Sequence, residues 1–425
     1  MSTQTASSSD TAVSHHGQLF AASCIALIAA AMVFAVRGDI LGDLAEHFQL
    51  TNAQLGWVII GGFWGFTISI VIGGALCDSL GMKAIMILAF IGHLFGTIFT
   101  IYANGFVMLA AATLLIGLGH GFVEGAINPL VATIYPDRKT VKLNFLHAWW
   151  PGGIVIGSLI AYLMTTKGMS WQAKQAIILV PTLIYGAWFL LLRLPATERV
   201  QSGVSTADMY KETFRPLFLV LLFSMLLTAA TELGTNQWIA EILKGSGVNQ
   251  GILILAWISG IMLVGRLFAA PVIQKLTPVG LLVCSSILSL VGLIALSRVS
   301  SMGSALAASF VFAVGICYFW PTMLGVTSER FPKGGALLLG LMGAAGMASA
   351  GLAQPLMGKL YDVYGPGGAL RYVAVLPAIL IVIFGIVYLR DLAKGGYKAV
   401  KLAAAEVPTP PASPEAEKVE ETEKA

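Results

Sequence analysis

The chain of 425 residues has little charge: only 11% of it is Asp, Glu, Lys or Arg, while 57% is hydrophobic. A soluble fold must cover its outside with polar groups, and about a quarter of an ordinary domain is charged. The shortage therefore excludes a soluble enzyme or nucleic-acid binder and leaves lipid as the solvent for the excess apolar surface. Cysteine is scarce too. Cys24, Cys77, Cys284 and Cys317 fall in or beside apolar runs, without metal-ligand spacing, and read as small packing residues. Neither a phosphate-binding G-x-x-x-x-G-K-[ST] nor an H-E-x-x-H pattern occurs, so ATP-driven transport and zinc catalysis have no support, and no cofactor is expected. The first seventeen residues carry no Lys or Arg, as a cleaved signal peptide would, so the first apolar run is expected to remain as an anchor.

What is present is length in apolar runs. A spanning helix needs about 20 mostly apolar residues because lipid cannot satisfy an exposed backbone. That ruler gives twelve spans, near residues 18–46, 54–77, 84–102, 106–134, 142–165, 174–193, 215–243, 250–271, 279–298, 304–327, 335–358 and 371–390. The expected class is an all-α, multi-pass membrane protein in two six-helix halves. Its expected parts are a disordered tail (1–17), a first half (18–194), a cytoplasmic linker (195–214), a second half (215–391) and a disordered Pro- and Glu-rich tail (392–425). Forty-seven glycines suit close helix packing in lipid. With both termini in the cytoplasm, inner connections and the start of the tail hold fifteen Lys and Arg, among them Lys83, Arg138, Lys139, Arg199 and Arg330. The outer connections hold six: Lys167, Lys174, Lys244, Arg298, Lys359 and Arg371. The positive-inside rule selects that orientation, in the inner or plasma membrane.

The stretch GGALCDSLGMK, Gly73 to Lys83, combines close-packing glycines, an acid able to meet a helix terminus in Asp78, and a turn-permitting Gly81. It resembles the loop signature of the major facilitator superfamily, which implies a gating role for Asp78, Gly81 and Lys83. Further stretches resemble the fucose–proton symporter family: GDILGDLAEHFQLTNAQLG, GFVEGAINPL and KLNFLHAWWPGG in the first half, then ELGTNQW, GRLFAAPVIQKLTP, YFWPTMLGV and QPLMGKLYD in the second. They keep one order from about Ala21 to Asp391. The resemblance implies a pseudo-symmetric fold with spans one, four, seven and ten around a central cavity. It also implies a monomer that takes up a small solute, a monosaccharide first, together with protons.

Charges inside spanning helices are costly and usually functional. The clearest here are Arg37, Asp39, Glu124, Glu232 and Arg266. Asp39 and Glu124 align with the two acids the symporter family uses for proton coupling; the alternative for either is an ion pair with Arg37 that only fixes packing. Asn128 lies one turn from Glu124, and Asn144 and His147 share span five. Their amides and imidazole suit sugar hydroxyls, while Trp149, Trp150, Trp238, Trp257 and Trp320 offer apolar faces or serve in an interfacial belt. Asn128, followed by Pro129, has the alternative of answering a backbone group freed by the proline. Glu232, Asn236, Gln237 and Trp238 cluster on span seven as a second wall, and Arg266 reads as pairing with an acid or a helix C-terminus as part of a gate. His147 stands where that family has glutamine, and Trp150 where it has asparagine. Together with Arg37, a cation able to receive a carboxylate or to pair internally, these departures open a second substrate class, a sugar acid or other organic anion. A uniporter or exporter without proton coupling is the further alternative.

Overall fold

The computed structural model describes residues 6–248 and 251–402, and the described residues contain helices and connections without a strand. The first half comprises α1 (Ala6–His47), α2 (Asn52–Leu80), α3 (Met82–Ile101), α4 (Phe106–Ile134), α5 (Lys139–Thr166) and α6 (Trp171–Leu191). The second comprises α7 (Pro216–Gly245), α8 (Gly251–Leu267, continued past a 67° bend by Ala269–Leu276), α9 (Pro278–Leu296) and α10 (Met302–Arg330). The last long helical stretch, Gly335–Val373, breaks at Gly365, whose φ of 70° favours glycine and which precedes Pro366. The break makes α11 (335–364) and α12 (366–393), so the chain crosses twelve times.

Lipid explains the outside. On α2, Ile60, Trp64, Ile68, Ile72, Leu76 and Leu80 are all exposed at four-residue spacing, one greasy stripe down one helix face. Glycine explains the inside. A Cβ on Gly65 of α2 would sit 2.5 Å from the Leu114 carbonyl oxygen and 2.8 Å from the Leu118 nitrogen of α4. A Cβ on Gly92 of α3 would lie 2.7 Å from the Gly119 Cα. Helices thus approach to backbone contact, where dispersion forces replace the missing hydrophobic drive. Gly65→Ala is expected to lower the melting temperature of the detergent-purified protein by several degrees, since the atoms it meets are backbone and cannot rotate away.

Across the halves, α2 packs on α11, and α5 on α8 and α10. At the end that bears the termini, Thr140 of α5 donates through its backbone N–H (3.0 Å) and Oγ1 (2.7 Å) to Glu329 of α10. Asn144 Nδ2 donates to Thr322 Oγ1 at 3.2 Å, and Lys139 Nζ to the Ser328 carbonyl at 3.4 Å. Among the described residues, every side-chain hydrogen bond joining the halves lies at this end or at the central cavity. Toward the other end the seam includes an apolar cluster of Phe66, Ile70, Ala344, Met347 and Ala350.

Three expectations about the segments change. Helix α1 begins at Ala6 and not after residue 17, because no Pro or Gly interrupts the chain between Ala6 and His16 and the apolar run supplies the nucleus. The connection between halves is not bare linker: it carries two short helices, Glu198–Gln201 and Thr206–Glu212, each capped by the preceding hydroxyl, Thr197 and Ser205. The start of the C-terminal tail is pinned. Tyr397 Oη donates to Glu329 at 2.6 Å, the Val400 N–H donates to the Glu329 carbonyl at 2.7 Å, and Lys401 Nζ meets Asp137 at 2.6 Å. That last bond holds the Asp137 carboxyl below its ordinary range and the Lys401 ammonium above its own. The remainder of the expected tail, from residue 403, and residues 1–5 lie outside the described residues.

Candidate functional site

Between the halves lies a narrow cavity lined by side chains from both. Its wall is Glu124 (α4), His147 and Trp150 (α5), Glu232 and Leu233 (α7), Arg266 (α8), Trp320 (α10) and Met347 (α11). Two acids, a cation and an imidazole thus face one another at the middle of twelve apolar helices.

The first-half wall is a relay. Asn128 Nδ2 donates to Glu124 Oε2 at 3.3 Å, which leaves Asn128 Oδ1 as acceptor for His147 Nε2 at 3.0 Å. His147 therefore carries its proton on Nε2. All three side chains are buried. Pro129 removes one backbone donor from α4 and Pro151 one from α5, beside the relay. Trp150 extends the wall through edge contacts with Phe34 of α1, at a centroid distance of 5.1 Å, and tilted packing on His120 at 5.0 Å.

The second-half wall is an ion pair. Arg266 Nη2 donates to Glu232 Oε1 at 3.1 Å, Nε to the Cys317 carbonyl at 2.6 Å, and Nη1 to the His147 carbonyl at 3.1 Å. Gly265 makes this approach possible, since a Cβ there would lie 2.7 Å from Cys317 Sγ. Glu232 sits in a π segment, Ala230–Gly234, a wide turn often found where a helix presents a functional group. Its second oxygen, Oε2, is buried without a hydrogen-bond partner.

Several expected site residues lie elsewhere. Asp39 does not join Glu124: it pairs with Lys174 of α6 at 2.8 Å and accepts from Thr165 of α5 at 3.3 Å, away from the cavity. Its ring of partners comes from helices that hydropathy could not place beside it. Arg37 pairs with neither acid; its Nη1 lies where a Cβ on Gly62 would come within 2.6 Å, outside the cavity wall. Asn144 is a hydrogen-bonded tie between halves and not a cavity residue. Asn236 does not share the wall with Glu232, because the π segment changes the register that α spacing assumed. Gln237 is exposed, and Trp238 stacks on Tyr361 at 6.1 Å. Arg266 pairs with the acid Glu232 and lies in the cavity wall. Leu233 and Met347, unmarked in the sequence, complete the wall.

The loop residues separate. Asp78 accepts from Thr197 and from Arg199 Nε, the latter at 2.6 Å, and the Arg199 stem lies where a Cβ on Gly335 of α11 would meet it at 3.3 Å. Asp78 thereby ties the first half to a linker that rests on the second. Gly81, at φ 81°, makes the turn. Lys83 caps the end of α6 instead, donating to the Leu190 and Leu192 carbonyls at 2.7 and 3.2 Å.

Residues 19–278 match the Major Facilitator Superfamily. The chain belongs to that superfamily. Among relatives of this facilitator, the 3-(3-hydroxy-phenyl)propionate transporter of Escherichia coli K12 is 26% identical over 378 residues, covering 81% of this chain and 86% of that one. Protein TsgA of Salmonella newport is 24% identical over 218 residues, 50% of this chain; the match spans about half, 54%, of that relative's length. Among solved structures, the E. coli fucose:proton symporter superposes with a TM-score of 0.72 at 15% identity, over 86% of this chain and 98% of that one. At that identity the likeness is one of fold. The facilitator thus has the twelve-helix membrane fold of its superfamily, and its halves meet at the cavity described.

Proposed function

We propose that this facilitator is a secondary active symporter, with both termini in the cytoplasm, that moves a small polar solute together with protons by rocking its halves about the cavity. One observation carries the reading: Glu124, a buried acid linked through Asn128 to His147, faces a cavity whose walls come from both halves. A carboxyl group there exchanges a proton only when the cavity opens to water, and its neutral form crosses the barrier at lower cost than its charged form. With the termini in the cytoplasm, the hydrogen-bonded ties at that end close the inner side, and the apolar seam on the outer side is the way in. Solute and proton enter from outside, the inner ties break, and both leave to the cytoplasm.

Two solute classes suit the wall. Relay amides and imidazole beside Trp150 and Trp320 suit a monosaccharide, with its polar edges and apolar face. The buried Arg266 favours an organic acid, and the name of the hydroxyphenylpropionate transporter points the same way. In proteoliposomes with an inside-alkaline gradient, a panel of hexoses, deoxyhexoses, hexuronates and aromatic or short organic acids is expected to include a solute whose uptake rises with the gradient and collapses with a protonophore. Uptake indifferent to the gradient across the whole panel would remove proton coupling.

A further inference from the structure

Arg266 is the one cation in the cavity wall among the described residues, and its side chain is 2% exposed. A buried guanidinium is tolerated only where its donors are met. Two of its acceptors, the Cys317 and His147 carbonyls, belong to the backbones of α10 and α5 and fix its plane. The third, Glu232, is a side chain and the only partner that can move away. It also binds poorly. Glu232 grips Arg266 through one oxygen and leaves the other buried and unpartnered against the cavity. Arg266 keeps further N–H groups on its terminal nitrogens, and a carboxylate is the partner whose geometry takes two of them at once.

We propose that Arg266 is the receptor for the carboxylate of an anionic solute, and that Glu232 holds its place until the solute arrives and then withdraws as the neutral acid. This deepens the transport reading and rests on the cavity being its solute site. In the exchange, the incoming carboxylate accepts hydrogen bonds from Nη1 and Nη2, Glu232 releases Nη2, and Glu232 Oε2 takes one proton from water on the side the solute entered. No covalent bond of the solute changes. Arg266 faces one negative charge before and after, so the buried site never holds an uncompensated ion. A neutral sugar cannot drive this exchange, because hydroxyls leave the guanidinium uncompensated if Glu232 departs. Trp150 and Trp320 flank the site, so the fitting solute is a monocarboxylate with a flat or apolar body.

The charged and titratable groups facing Glu232 are Arg266 from α8, Cys317 from α10, and, across the cavity, Glu124 from α4 and His147 from α5. Helix α11 contributes Met347 to the wall, and α12 carries no ionisable residue between Tyr372 and Tyr388.

The test is equilibrium binding by calorimetry to the purified full-length protein, comparing acids with neutral counterparts of like shape: benzoate with benzamide, 3-phenylpropionate with 3-phenylpropionamide, glucuronate with glucose. At least one acid is expected to bind about tenfold or more tightly than its counterpart. Titration in buffers of different ionisation heat is expected to count about one proton taken up per acid through Glu232, so affinity weakens as pH rises. In Glu232→Gln the acid still binds and that proton uptake drops by about one, while Arg266→Gln loses acid binding. Absence of binding by every acid, equal binding by the counterparts, or undiminished proton uptake in Glu232→Gln overturns the proposal. The wild-type comparison stands even if a variant fails to fold. Binding of neutral solutes alone strikes this proposal and leaves symport intact, whereas acid binding without gradient-driven uptake strikes symport and leaves this site.

Discussion

Glu124→Gln is expected to leave solute counterflow running while lowering proton-driven accumulation about tenfold for each unit of pH gradient imposed. One pH unit is worth about 1.4 kcal/mol per proton carried, which is a factor of about ten in the concentration ratio a coupled solute can reach. Gln keeps the shape and can still accept from Asn128 Nδ2, as Glu124 does at 3.3 Å. It is a permanently neutral stand-in for the protonated acid, so the loaded carrier still crosses and the proton no longer travels. The measurement is steady-state accumulation in proteoliposomes with the membrane potential clamped, beside exchange of preloaded solute. An unchanged accumulation ratio would show that the Glu124 proton does not travel. Asp39→Asn, by contrast, is expected to alter stability more than coupling, because Asp39 answers Lys174 outside the cavity.

Gly340→Leu is expected to abolish transport by wedging the halves apart at the inner seam. A Cβ at Gly340 of α11 would lie 2.7 Å from the Ile70 carbonyl oxygen and 3.3 Å from the Gly74 Cα of α2; reciprocally, one at Gly74 would lie 2.7 Å from the Ala336 carbonyl. These are backbone atoms of the opposite half, so neither side can give way while the seam is closed. Each half, however, packs within itself and is untouched. The cost of several kcal/mol therefore falls on one conformation and not on folding, and a difference of about 5.5 kcal/mol inverts a two-state population from 99:1 to 1:99. Ser328, buried at the inner seam, reports the change. A cysteine placed there should react with a membrane-impermeant thiol reagent at least about tenfold faster in the Gly340→Leu background, with the melting temperature little changed. Labelling at the wild-type rate would mean that closure survives the wedge.

Much of the architecture was legible because the signal is one-dimensional. Span length, the polar break at 195–214 and the glycine content all follow from the solvent being lipid. Glu124 and Asn128 were also legible as a pair, because α spacing holds through their turn, whereas the bond from His147 to Asn128 depends on how α5 meets α4. Arg266 was not. Its place depends on Gly265 letting α8 touch α10 and on α8 bending just beyond it, and both are relations between helices. Asn236 was misplaced for a local reason: the π segment at Glu232 breaks the four-residue rule on which its shared face was argued.

The amino-acid order by itself determined that this protein lives in a bilayer, crosses it twelve times and keeps a few acids at a depth where they are expensive, since hydropathy and chain length act locally. Only the tertiary structure decided which acid meets which base. Asp39 found Lys174, Glu232 found Arg266, and Arg37 found neither acid expected of it. Coulomb pairing depends on distances of a few ångströms between separate helices, and those distances are set by where glycine lets backbones touch.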